Sequence, residues 1–403
     1  MNIGPILSTL ARHKTAASLI VLEIMLACAV LCNAIAPIAQ RLQRIQRDTG
    51  WAEQELLIIG LVGISEGSNA DAQTRADLTA LRALPGVKQV TTTNQYPYGN
   101  SSWNTTVNLT ADQQRATLEA SQYLGGEHFL ETAGVRVVAG RDFLPEEFLD
   151  DSSLEELGGR AISVIVNKPM AGRLFPKGDS LGKTIYSGKD QPLRIVGIAG
   201  PFSAARQTDD THPAMLFPIR MNYTRGAAYL IRTDPTQRAA VLKAAVAELQ
   251  SLNANRVVLR QVTFEQMKDR FFAPDRATCW LLVGMCAALL IVTALGIVGL
   301  ASFWVQQRSR MIGTRRALGA TRGQIRAYFQ IENLLLTTIG VVLGMMAAYG
   351  ANQIMMSHYE LIRLPLAYLP IGAVALWLLG QLAVLGPAMR AAALPPVAVM
   401  RAG

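Results

Sequence analysis

Cysteine and histidine are scarce in this 403-residue sequence, four of each, and their placement excludes whole classes of chemistry. Cys28, Cys32, Cys279 and Cys286 all lie inside apolar runs, and the long polar middle has none, so no disulfide framework or zinc motif exists there. Cys28 and Cys32 share a helix face, a spacing that suits small packing residues better than a redox pair. The histidines (His13, His128, His212, His358) are scattered without ligand spacing. No Gly-x-Ser-x-Gly elbow, His-Glu-x-x-His motif or Gly-x-x-x-x-Gly-Lys-Ser/Thr loop occurs. No catalytic, cofactor-binding or metal residue is assigned, and the chain is expected to be no enzyme. Two further absences organise the chain: Ala277 to Gln307 carries no charged residue, and Arg308 to Arg326 carries no acid.

That acid-free stretch holds six arginines (Arg308, Arg310, Arg315, Arg316, Arg322, Arg326) between two apolar runs, the pattern of a cytoplasmic loop. The formal net charge of +9 is concentrated beside such runs rather than interleaved with aromatics, which argues for membrane topology and against nucleic-acid binding. Local chemistry predicts a basic helix ending near Leu318, a left-handed Gly319, and a Thr321-x-x-Gln324 capping box opening the next helix.

Four apolar runs predict four spans. A surface helix at 1–14 precedes transmembrane helix 1 and a stalk at 15–49; the run is longer than the apolar part of a cleaved signal. Glu23 inside it is a possible intramembrane polar site, or a glutamate near the inner interface paired with a basic neighbour. An extracytoplasmic domain spans 50–262. A second stalk and helix 2 follow at 263–307, the basic loop at 308–326, helix 3 at 327–356, helix 4 at 364–389 and a tail at 390–403. Ile38, Leu42 and Ile45 form one apolar stripe and Phe264, Met267 and Phe271 another, so the two helical extensions are expected to pack as a stalk. Both termini are expected in the cytoplasm.

Within 50–262, strand, helix and strand signals at 55–64, 71–84 and 87–96, and again at 227–233, 235–252 and 257–262, predict two βαβ units on one sheet, a ferredoxin-like arrangement. Residues of about 112–222 form a strand-rich insertion. The expected class is therefore a membrane α-helical protein with an inserted extracytoplasmic α+β domain. The acidic run Glu146, Glu147, Asp150, Asp151, Glu155, Glu156 lacks the alternation of a calcium loop and is expected to be solvated.

Three segments carry a resemblance. Arg315-Arg-Ala-Leu-Gly-Ala-Thr-Arg322 resembles the loop after the second span in MacB/FtsX-like (type VII, mechanotransmission) ABC transporter permeases. Val164-Ile-Val-Asn-Lys-Pro to Lys183, with Leu193 to Gly200, is similar to their extracytoplasmic domain, and Ala388 to Arg401 to their ending. Met311 stands where the family usually has Glu. The resemblance implies that Arg308, Arg310, Ile312, Gly313, Arg315, Arg316, Leu318, Gly319 and Thr321 couple to an ABC-type ATPase dimer, which would bind the ATP and magnesium. It also implies a second permease copy or a non-identical permease, a periplasmic adaptor and outer-membrane duct, surrounding membrane lipid, and a bacterial inner-membrane location. The function it implies is export or extraction of a peptide, lipoprotein or drug-like cargo. A regulator of a cell-wall hydrolase or a signalling receptor stay open.

Overall fold

A computed structural model describes residues 14–63, 69–100, 102–150, 160–188, 190–200, 202, 212–359 and 365–393. The surface helix expected at 1–14, Asp151, Glu155 and Glu156 of the acidic run, and most of the 390–403 tail lie outside the described residues. The chain divides into two compact units, Met1–Gln43 with Pro274–Gly403, and Arg44–Ala273.

The first unit contains the helices long and apolar enough to cross a membrane: α1 (Lys14–Gln46, reaching into the second unit), α7 (Ala273–Gln307), α9 (Arg322–Tyr359) and α10 (Leu369–Ala393), with the short α8 (Ser309–Ala317) between α7 and α9. In lipid, apolar surface alone gives helices little reason to associate, so close packing depends on small residues. Here glycines supply the notches. A methyl group on Gly340 would meet Ile24 at 2.8 Å, one on Gly344 would meet the Cβ of Cys28 at 2.5 Å, and one on Gly372 would meet the thiol of Cys32 at 2.8 Å. The two thiols are fully buried against the backbone carbonyls of Val341 and Leu369, so these cysteines pack α1 onto α9 and α10. Near the C-terminal end of α1, Arg41 pairs with Asp275 at the start of α7.

The second unit begins as a sheet of order β12-β1-β11-β2, formed by β1 (Leu56–Gly63), β2 (Val87–Thr93), β11 (Ala228–Thr233) and β12 (Arg256–Thr263), all antiparallel neighbours. Helices α2 (Ala70–Ala83) and α5 (Arg238–Leu252) join β1 to β2 and β11 to β12. Because side chains alternate across a strand, a sheet buried on both faces reads as an unbroken apolar run. Leu57, Ile59 and Leu61 of β1 face the helices with Tyr229 and Ile231 of β11, while Leu56 and Ile58 enter a second core with Leu230.

Six of the remaining strands close a ring, β4-β3-β8-β9-β7-β10 and back to β4 (β3 Asn104–Asn108, β4 Leu118–Gly125, β7 Ile162–Asn167, β8 Thr184–Ser187, β9 Gln191–Ala199, β10 Ala214–Arg220), sealed by parallel pairing of β4 with β10, while β5 (Val137–Gly140) pairs with β9 and β6 (Leu149–Asp150) with β10 at its edges. Ile162, Val164 and Val166 fill this barrel, and Ile165 points the other way into the second core. The barrel takes in β3, so the strand-rich insertion starts before residue 112. Nor is the acidic run simply solvated: Glu147 receives both Arg141 guanidinium nitrogens at 2.6 and 2.7 Å and the Ser163 hydroxyl at 2.6 Å, and Asp150 pairs with Arg220 at 3.4 Å.

Helix α6 (Phe264–Phe271) carries the second apolar stripe. A Thr263/Gln266 capping box starts it, and Phe264 stacks on Trp51 at 6.2 Å and meets Tyr98 edge-on at 5.5 Å. Phe264 and Met267 are buried in the second unit's own core, with Phe271 and Ile45 packed at its margin. Leu42 is 44% exposed and Ile38 half-buried. The aromatic cluster around Trp51 offers Phe264 more contact than an isolated helix extension, and the stripe folds into the domain.

Candidate functional site: the elbow between the second and third spans

The elbow is set by backbone chemistry at its two ends. At the C-terminus of α8, Gly319 adopts φ +94°, its N–H bonds the carbonyl of Arg316 at 3.2 Å, and the N–H of Ala320 reaches back to Arg315 at 3.0 Å, the paired bonds of a Schellman cap. Among the described residues no atom lies within 4 Å of where a Gly319 side chain would begin, so glycine is needed for conformation and not for space. Thr321 and Gln324 then exchange the two bonds of a capping box, 2.9 and 3.3 Å, and α9 starts.

The elbow's inner face is held by its own unit. Arg308, at the α7–α8 junction, donates from one guanidinium nitrogen to both carboxylate oxygens of Glu332 on α9, at 2.8 and 2.9 Å, and lies over the Trp304 ring. Both side chains are almost wholly buried. Ile312 and Gly313 are buried as well. Arg315 stacks over Tyr328 at 4.8 Å, and Arg316 donates to the carbonyl of Ala392 at the end of α10. The outer face carries Arg310, Thr314, Ala317 and Leu318, a helical i, i+4, i+7, i+8 stripe; Leu318 is 83% exposed. Gly319 and Thr321 are exposed beside it.

The nine residues expected to couple therefore divide. Arg310, Leu318, Gly319 and Thr321 face outward, whereas Arg308, Ile312 and Gly313 are buried, and Arg315 and Arg316 bond within the chain. Glu332 was missed. It is the sole acid between Asp275 and Glu360, a signal legible in the sequence, since an acid within an apolar span is held there by a specific partner. Glu23 sits apart from the elbow: its carboxylate rests on Gly296 of α7, where a methyl group would fall 2.3 Å from an oxygen, and among the described residues it has no basic partner.

The MacB-like periplasmic core domain family matches residues 36–249, more than half the chain, and the FtsX-like permease C-terminal family matches 283–396. The chain belongs to the MacB/FtsX-like permeases of ABC transporters. It is membrane-embedded, as this family is. The macrolide export ATP-binding/permease protein MacB 1/2 of Paracoccus denitrificans (strain Pd 1222) is 26% identical over 413 residues, 98% of this chain and 58% of that protein. The uncharacterized ABC transporter permease YknZ of Bacillus subtilis (strain 168) is 24% identical, over 71% of this chain and 69% of that one. This permease thus spans little more than half of the first relative and less of several others. The crystal structure of the periplasmic region of MacB from Actinobacillus actinomycetemcomitans aligns with 57% of this chain and 97% of its own, at 14% identity and a TM-score of 0.35. The family assignment rests on the sequence matches.

Proposed function

We propose that this permease converts ATP-driven movement of a separate ABC-type ATPase dimer into motion of its 44–273 unit, driving export or extraction of a peptide, lipoprotein or drug-like cargo. In this reading both termini and the elbow lie in the cytoplasm, the 44–273 unit projects outward with its four-stranded sheet in ferredoxin-like order, and a second permease copy or a non-identical one completes the complex. A periplasmic adaptor and outer-membrane duct would extend the path. The observation that carries the reading is the division of α8: one face bound to α9 and α10, the other presenting Arg310, Thr314 and Leu318. A helix fixed on one side and bare on the other transmits a push delivered to its bare side.

Pull-down of the ATPase tests this. Arg310→Glu with Leu318→Glu is expected to abolish ATPase retention while the permease inserts normally. Retention and transport at the unsubstituted level would reduce the elbow to a topology signal.

A further inference from the structure

Beside the elbow, the first unit holds a cleft of about 340 Å³ lined by Ser302, Val305 and Gln306 of α7, Ser309 of α8, and Pro387 and Arg390 of α10. Ser302, Gln306 and Ser309 stand at i, i+4 and i+7, so their polar ends share one face of the α7–α8 segment. Among the described residues these three side chains and Arg390 have no hydrogen-bond or ion-pair partner, although mid-helix serines readily bond back to their own backbone. Glu332, the acid of α9, is taken up by Arg308, and among the described residues no carboxylate pairs with Arg390. Beneath the four donors, Val305 and Pro387 are buried and apolar.

We propose that this cleft binds the phosphodiester headgroup of an anionic phospholipid of the inner leaflet, with an acyl chain over Val305 and Pro387. Every polar side chain in the lining can donate: a guanidinium, two hydroxyls and an amide suit phosphate oxygens. Among the described residues no carboxylate lines the cleft, so the ammonium of a choline or ethanolamine headgroup would meet Arg390 without a counter-charge. Phosphatidylglycerol or cardiolipin fits both conditions. Basic pockets between spans on the cytoplasmic side bind such lipids by this chemistry. The leaflet assignment rests on the cytoplasmic elbow proposed above; binding itself does not depend on transport or orientation.

The test uses the full chain in nanodiscs of phosphatidylcholine with or without phosphatidylglycerol, reading bound lipid by native mass spectrometry. Preferential retention of phosphatidylglycerol is expected, falling about tenfold in Arg390→Gln, the scale of one lost charge-assisted bond. Gln306→Leu, which keeps the charge, should lower it less. Arg326→Gln, on the exposed start of α9, should not lower it. No preference in the unsubstituted protein overturns the proposal, as does equal loss in Arg326→Gln, which would mean a diffuse surface field. Displacement by glycerol phosphate as readily as by whole lipid would show a free-phosphate site instead. Crosslinking between two copies through a cysteine at position 306, with no lipid retained, would assign the cleft to a second permease. Thr314 labelling from outside would refute the leaflet while leaving the binding result intact.

Discussion

Glu332 and Arg308 compensate each other's charge in the first unit. Breaking a buried pair leaves an unpaired charge, at a cost of about 3–5 kcal/mol, whereas replacing both by apolar groups of similar size is often neutral. Glu332→Gln should therefore lower the thermal midpoint in detergent far more than Arg308→Met with Glu332→Leu does; equal losses would show that the pair contributes packing and not charge compensation. A second carboxylate makes a pH-dependent contribution in the second unit. The Glu147 carboxyl is held down at about 2, chiefly by Arg141, then by Ser163 and the N–H of Leu144, against the pull of burial. The folded value lies below the unfolded one, so the unfolded chain takes up the proton first as pH falls. Stability from Glu147 is present above about pH 4.5 and is lost on descent to about 2. Thermal midpoints between pH 5 and 2 should fall less steeply in Glu147→Gln than in the unsubstituted protein. Parallel curves would sink the assignment.

At the scale of elements, α8 is terminated by a conformation rather than by a contact. Valine at 319 would strain a left-handed backbone by about 1–3 kcal/mol, while asparagine, which visits that region readily, fits the same open space. Gly319→Val is expected to lose ATPase coupling and Gly319→Asn to keep most of it, as coupled ATPase and transport assays would read; identical behaviour would remove the cap from the mechanism. This cap and the Thr321/Gln324 box were legible because their determinants lie within a few residues of one another. The strand runs of β1 and β11 were legible for a related reason, since burial on both faces leaves an uninterrupted apolar signature. What escaped were choices made between distant segments. The ring closes only because β4 meets β10, and nothing in either strand names its partner. Phe264 and Met267 have the spacing of a stalk, yet Trp51 and Tyr98 claim them. Arg315 and Arg316 read as free cations until Tyr328 and Ala392 are brought to them.

For the whole molecule, the proposed orientation makes opposite demands on the two ends of the spans. A cysteine at Gln261 should react with an impermeant maleimide from outside, and one at Thr314 only after permeabilisation; external labelling at 314 would overturn the topology. The order of the β12-β1-β11-β2 sheet adds a demand of another kind, on biosynthesis. β1 is made early, but both of its neighbours, β11 and β12, lie after residue 227, while every strand of the ring falls between residues 104 and 220. Long-range pairing is slow because the intervening chain must be gathered first. The ring can thus mature on the emerging chain while Leu56-Leu-Ile-Ile-Gly-Leu-Val62 still waits for partners. An unpaired run of that composition is prone to aggregate, so the interval between synthesis of β1 and of β12 is when the nascent chain is expected to be most open to aggregation and proteolysis.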